Sequence, residues 1–154
     1  MAQEIERKFL VRHEGWRENV SRLSHIVQAY LGAAPGLSIR LRIRDSQTAF
    51  LTVKSAEKGL SRSEFEYPIP VSDAEAMIAL SGGPRLQKTR HDVVLGDLKW
   101  EVDVFEGVNA GLVLAEVELP SETHAVSLPD WIGEEVTGDP RFYNEHLAQK
   151  PADT

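Results

Sequence analysis

Charged side chains recur at every second position along this chain, in blocks dominated by one sign. Glu4, Glu6 and Lys8 form one row, Arg40, Arg42 and Arg44 a second, and Glu64 with Glu66 a third. Lys88, Arg90 and Asp92 follow, then Glu101 with Asp103, then Glu116 with Glu118; Lys54 stands opposite Leu51 and Val53. Positions i and i+2 share a face in an extended strand, so each row is one charged surface. Three arginines roughly 7 Å apart on one face repel one another unless an anion or carboxylates lie nearby. Arg and Lys clamp phosphate oxygens, Arg often through two parallel bonds. Carboxylate pairs on neighbouring strands supply the oxygen ligands that a hard cation such as Mg²⁺ or Mn²⁺ takes. A basic wall facing an acidic wall therefore suits a phosphate chain handled with a divalent metal. Such a metal neutralises phosphoryl charge and lowers the pKa of a bound water. A half-exposed sheet with a solvated polar face accounts for any one row taken alone. Segregation by sign, repeated from strand to strand, favours an enclosed surface.

Other chemistries lack their residues. The chain has no cysteine, which excludes disulfides, thiolate catalysis and cysteine zinc sites. His13, His25, His91, His124 and His146 show no metal-ligand spacing and read as structural or surface residues. Neither GxxxxGK[ST] nor GxGxxG occurs, so phosphates would be held by side chains rather than by a backbone cradle.

The elements that must position these rows are mostly strands. Period-2 alternation marks Glu4–Val11, His25–Leu31, Leu37–Arg44, Ala49–Ser55, Ser63–Ile69, Leu86–Val94, Leu98–Phe105 and Leu112–Leu119. Turn signals separate most of them, at Pro35-Gly36, Arg44–Gln47, Lys58-Gly59, Gly82-Gly83-Pro84, Gly96-Asp97 and Gly107–Gly111. Helices are expected at Glu14–Val20, from an N-cap at Ser72 to about Leu80, and from about Pro140 to Gln149 behind Asp139. A helical turn is also expected within Ser127–Glu135. The fold class is therefore mainly β (α+β). Eight strands suffice to close an antiparallel barrel around one small ligand. With the charged faces inward the interior is a wet tunnel, and the helices cover the apolar outer faces.

Composition bounds the rest. The 154 residues suit a single domain spanning 1–154, with 150–154 expected to fray; 42% are apolar, enough for a core. The net charge of −7 argues against nucleic-acid or membrane-surface partners. The start, MAQEIERKFLV, has no long apolar run, and no segment approaches the ~20 apolar residues of a membrane span. A cytoplasmic protein with a small-molecule polyphosphate substrate is expected. Oligomeric state stays open, a homodimer among the options.

The same residues resemble the CYTH family, the triphosphate tunnel metalloenzymes. Glu4-Ile5-Glu6-Arg7-Lys8 is similar to its ExExK signature. The match continues through Gln28-Ala29-Tyr30-Leu31, the RxRxR of Arg40–Arg44, Leu51-Thr52-Val53-Lys54, Glu64 with Glu66, Lys88-Thr89-Arg90, WEVDVFEG from Trp100 and LVLAEVEL from Leu112. It spans essentially residues 2 to 147 and looks most like the short bacterial members. The resemblance implies an eight-stranded tunnel that hydrolyses triphosphates with Mg²⁺ or Mn²⁺, one or two ions. It implies that Glu4, Glu6 and Glu118 ligate metal with Glu116 beside them, and that Glu64, Glu66 and Glu101 form a supporting acidic wall. Lys8, Arg40, Arg42, Lys54, Lys88 and Arg90 would hold the phosphate chain, and Lys8, Glu4, Glu6 and Asp103 would be catalytic. Arg44 and Arg62 are expected near solvent at strand ends and His91 at the periphery. Tyr143 and Asn144 would lie on a helix that crosses a tunnel mouth or simply packs on the core. Inorganic tripolyphosphate is the favoured substrate. ATP, thiamine triphosphate, cyclisation of ATP, a non-catalytic polyphosphate-binding module and a plain interaction domain remain alternatives.

Overall fold

A computed structural model describes residues 2–31, 36–55, 61–83 and 85–149. The expected turns at Pro35, Lys58-Gly59 and Pro84, and the fraying expected of 150–154, lie outside the described residues. The strands are β1 (Ala2–Val11), β2 (Val20–Leu31), β3 (Leu37–Arg44), β4 (Thr48–Ser55), β5 (Ser61–Ile69), β6 (Arg85–Leu95), β7 (Leu98–Phe105), β8 (Val113–Glu118) and β9 (Ile132–Glu135). They run antiparallel in the order β5-β4-β3-β2-β6-β7-β8-β1-β9, and β5 also pairs with β1, which closes an eight-stranded barrel with β9 as an extra strand. Among the described residues no helix is long and apolar enough to cross a membrane.

Register places the charged rows on one face. Lys8 lies opposite Glu116, Glu6 opposite Glu118, Arg90 opposite Asp103, Lys54 opposite Glu64, and Arg62 opposite Glu4. A cross-strand pair shares a side of the sheet, so these rows form a continuous inner surface. The alternate residues form the outer cores. On one side Phe9, Trp100, Val102, Val117 and Trp131 pack beneath Trp16, which a 3₁₀ turn at Glu14–Asn19 supplies. The Trp100 ring lies 5.7 Å from Phe9 and 5.6 Å from Trp131. On the other side α1 (Val71–Ser81) buries Ala74 and Ile78 against Ala29, Leu41, Ile43 and Ala49.

The β3–β4 hairpin is pinned by chemistry that the turn residues make possible. Asp45 and Ser46 take φ of 53° and 56°, and Gln47 N–H bonds the Arg44 carbonyl at 3.0 Å. Two positive φ values match the right-handed strand twist. Short polar side chains such as that of Asp45 tolerate the left-handed region. Asp45 also accepts from the His25 amide at 2.7 Å, tying the turn to β2.

Three local expectations are corrected. The segment Ser127–Glu135 carries β9 rather than a helical turn. Beyond the short β1–β5 seam at Ala2–Ile5, the outer edge of β1 is free, and Ile132–Glu135 pairs there with Phe9 and Val11. The cap of α1 is Pro70, not Ser72: Asp73 and Ala74 amides both bond the Pro70 carbonyl at 3.1 Å, so the helix starts one residue before Ser72. The C-terminal helix is broken into a 3₁₀ turn at Pro140–Phe142 and α2 (Asn144–Leu147), with Tyr143 extended between them at φ −70° and ψ 135°. Asp139 does cap the first turn, accepting from Arg141 N–H at 3.0 Å.

That broken segment enters the barrel. Phe142 and Leu147 pack on Leu86, Phe105 and Leu114, three inward-facing residues of the barrel's upper end, together with Val136. One end of the interior is thus an apolar plug rather than part of a through-running charged tunnel. Leu147 is fully buried there, and truncation leaves a cavity that a packed barrel fills poorly. Leu147→Ala is expected to cost about 2–5 kcal/mol, read from urea denaturation. A loss below ~1 kcal/mol would show that the segment is not part of the cooperative core.

Candidate functional site

The inner surface is built from ion pairs whose members come from neighbouring strands. Asp103 on β7 is fully engaged by β6: Lys88 Nζ lies 2.8 Å from Oδ2, and Arg90 Nε and Nη2 donate to its two oxygens at 2.8 and 2.9 Å. Arg90 also reaches Glu101 at 3.3 Å. Lys8 lies 3.3 Å from Glu116 and donates to the Phe142 carbonyl at 3.0 Å. Lys54 sits between Glu4 at 3.3 Å and Glu64 at 3.6 Å. Arg40 approaches Glu66 at 3.7 Å and donates to Thr52, which in turn donates to Glu66.

The cations are not evenly neutralised. Among the described residues Arg42 has no carboxylate within ion-pair distance; its Nε donates to the Gln28 amide oxygen at 3.1 Å. The Arg40 Nε and Arg44 Nε atoms are buried without a hydrogen-bond partner. A buried unpartnered donor is costly. An anion removes that cost. Burial, then Arg40 and Arg90, pushes Arg42 down to about 9. Burial, with Arg90 and Arg42 against the pull of Asp103, pushes Lys88 down to about 7. In both, burial is the larger cause and the neighbouring arginines add to it.

The carboxylates show the converse imbalance. Burial raises Glu6 well above the ordinary range, and Glu116 and Glu4 raise it further. Glu118, opposite Glu6 and more exposed, is also raised by burial and by Glu4 and Glu101. Burial would raise Glu116, but Lys8, Arg90 and Lys88 overcome it and hold it well below the ordinary range. Among the described residues no three carboxylates or imidazoles converge as a preformed ion cage. The donor set nonetheless fits a hard cation: it is all oxygen, and the crowding at Glu6 is a repulsion that a cation relieves.

A cavity of about 120 Å³ opens onto part of this surface, with Glu6, Lys8, Tyr30, Arg40 and Lys54 on its barrel side. The C-terminal segment supplies the facing wall through Thr137, Tyr143, Asn144 and Glu145. Asn144 Oδ1 accepts from Lys88 Nζ at 3.1 Å, and Thr137 Oγ1 accepts from the Lys8 amide at 2.9 Å. Asn144 therefore reaches a cation of the inner surface directly, and Tyr143 lines the cavity beside it. Arg62 also lines the cavity and Arg44 is half-buried, both more enclosed than their strand-end positions suggest. His91 lies on the outer face, buried 4.8 Å from the Trp16 ring, away from the inner surface.

Gln28, Tyr30, Thr52 and Thr137 carry no charge and so escape a search for charged rows. The signal for three of them was available in register: Gln28 faces Arg42, Tyr30 faces Arg40, and Thr52 faces both Arg40 and Glu66. Gln28 holds Arg42 and donates to the Tyr30 hydroxyl at 2.8 Å. Thr137, from a loop 129 residues away from Lys8, had no such signal.

The CYTH domain model matches residues 2–143. An inorganic triphosphatase of Acetivibrio thermocellus is 40% identical over 152 residues, covering 98% of this chain and 96% of its own length. One from Nitrosomonas europaea is 40% identical over 148 residues, covering 94% and 96%. A crystal structure of an inorganic triphosphatase superposes with a TM-score of 0.68 at 36% identity, covering 99% of both chains.

Two outcomes follow from the charge pattern. Burial would raise Asp103, yet Arg90 and Lys88 bring it from 3.8 to about 2. A depressed carboxylate stabilises the fold above its unfolded pKa, so this contribution is full above pH ~4 and fades as pH falls toward 2. Asp103→Asn is expected to cost about 3–5 kcal/mol at pH 7 by urea denaturation, because the buried Arg90 charge loses its bidentate partner and Lys88 loses its own. Lys88, largely neutral at pH 8 when free, should be driven to protonate by a bound polyanion. Calorimetry of tripolyphosphate binding in EDTA, in two buffers of different ionisation enthalpy, should show uptake of up to about one proton at pH 8. Undiminished uptake in Lys88→Met would show that another group titrates.

Proposed function

The chain belongs to the CYTH family, and we propose that its cavity hydrolyses inorganic tripolyphosphate to pyrophosphate and orthophosphate in a divalent-metal-dependent reaction. The observation that carries this reading is the pair of under-neutralised arginines, buried Arg40 and half-buried Arg42, beside a cluster of crowded carboxylates. A site built that way is short of one anion and one cation at once. The inorganic triphosphatases that it resembles give the substrate class. The lack of cysteine fits the cytoplasm, where the reaction is placed.

In this reading Lys8, Arg40, Arg42, Lys54 and Arg90 take the phosphate oxygens. Lys88 joins them once an anion restores its charge. Asp103, with both oxygens held by Lys88 and Arg90, positions those cations rather than touching substrate. Glu4, Glu6, Glu116 and Glu118 would hold Mg²⁺ or Mn²⁺, which when bound supplies positive charge to the phosphoryl oxygens and acidifies a water. Water oxygen forms the new bond to the terminal phosphorus, the bond to the bridging oxygen breaks, and pyrophosphate leaves. Lys8, kept charged by Glu116, is available to the charge that grows on that leaving group. Glu64, Glu66 and Glu101 act one step back, each paired to a cation of the wall.

The test is turnover of tripolyphosphate, ATP, pyrophosphate and thiamine triphosphate with Mg²⁺, Mn²⁺ or EDTA, following orthophosphate and cyclic AMP. Rapid metal-dependent release from tripolyphosphate is expected, with slow ATP turnover and inert pyrophosphate. Dominant cyclic AMP formation, or no turnover at all, would overturn the reading. Glu6→Gln should lower turnover on the order of 100-fold while the metal-free melting temperature holds or rises, because a crowded buried carboxyl that resists ionisation is replaced by a neutral group. Arg42→Ala should raise KM at least about tenfold with a smaller change in kcat.

A further inference from the structure

Tyr143 lines the cavity on the wall supplied by the C-terminal segment, so its ring borders the space that a group attached to a bound triphosphate would have to share. Its ring is half-buried in the wall opposite Lys8, Arg40 and Lys54, and the Arg62 guanidinium lies 5.8 Å from the ring centroid. Arg62 stands on β5 opposite Glu4. The Arg62–Tyr143 contact therefore bridges the barrel wall to the C-terminal segment.

The bridge is held from behind. The carbonyl before Tyr143 accepts from Lys8 Nζ, the next side chain, Asn144, accepts from Lys88 Nζ, and the Leu147 carbonyl accepts from Asn109 at 2.8 Å. Phe142 and Leu147 are buried in the apolar plug. These anchors fix the backbone that carries the ring. The cavity is about 120 Å³, against roughly 300–1,000 Å³ for sites that hold drug-sized ligands. Glu145 adds a carboxylate to the same wall. Thr137 and Asn144 set further polar groups on the same wall.

We propose that Tyr143, braced by Arg62, is a specificity-determining residue that admits a bare triphosphate chain and rejects one esterified to a nucleoside. This rests on the triphosphatase reading above and adds how that site chooses among triphosphates.

The experiment compares wild type, Tyr143→Ala, Tyr143→Leu and Tyr143→Phe, each checked for folding by circular dichroism. kcat and KM are measured for tripolyphosphate and ATP. Binding of tripolyphosphate and a non-hydrolysable ATP analogue is measured in EDTA by calorimetry. Tyr143→Ala should lower KM for ATP about tenfold or more while moving that for tripolyphosphate less than about threefold. The analogue should bind correspondingly tighter. Tyr143→Leu should fall between, and Tyr143→Phe, which keeps the ring, should retain the wild-type preference. If wild type turns over neither substrate, the underlying function is wrong. A wild type that prefers tripolyphosphate, with Ala and Leu variants that keep the full preference, overturns the role of Tyr143 alone. Equal use of both substrates by wild type overturns it as well.

Discussion

Burying basic side chains together inside a closed sheet is possible here because Asp103 engages two of them at once. Lys88 and Arg90 are both buried, two residues apart on one strand, and each would repel the other and Arg42. Asp103 faces them from the next strand with both oxygens engaged at 2.8–2.9 Å. Breaking such a buried cluster leaves uncompensated charge, which costs several kcal/mol. The rest of the inner surface repeats the device more loosely: Lys8 with Glu116, Lys54 with Glu4 and Glu64, Arg40 with Glu66. Each cation is thus held in place before any ligand arrives. Such preorganisation is what lets fixed charges act on a transferring phosphoryl group without reorganising.

The neutralisation stops short, and the proposed function rests on that shortfall. Arg42 leans on a neutral amide, Arg40 keeps a buried Nε without a partner, and Glu6 is crowded by two other carboxylates. A protein selected for stability alone would fill these gaps with apolar residues or complete the pairs. Leaving them open stores unfavourable free energy that an anion and a cation release together.

The C-terminal segment joins fold to site. Its apolar residues plug one end of the barrel, while its backbone carbonyl at Phe142 and the amide of Asn144 hold Lys8 and Lys88. That double duty explains the break in what reads locally as one helix. The Phe142 carbonyl is drawn to a lysine ammonium instead of an amide four residues on, and Tyr143 turns extended.

How much was legible varies with how local the signal is. The eight barrel strands and their charged face followed from alternation, and β3 and β7 came out with their bounds intact, because period 2 is a property of neighbouring residues. The ninth strand was not visible, since Ile132–Glu135 is extended only because β1 has a free edge beyond its seam with β5. The charged candidates Glu6, Lys8, Arg40 and Lys54 do meet at one cavity, while Gln28, Tyr30 and Thr52 needed strand register to be recognised. By itself, then, the sequence determined that this chain makes a β-barrel with cations and carboxylates on one face. Tertiary structure alone decided which cations are paired, which are left wanting an anion, and where the tunnel ends. Those outcomes depend on contacts such as Lys8 with Phe142, 134 residues apart, and local pattern carries no information about which distant groups closure brings together.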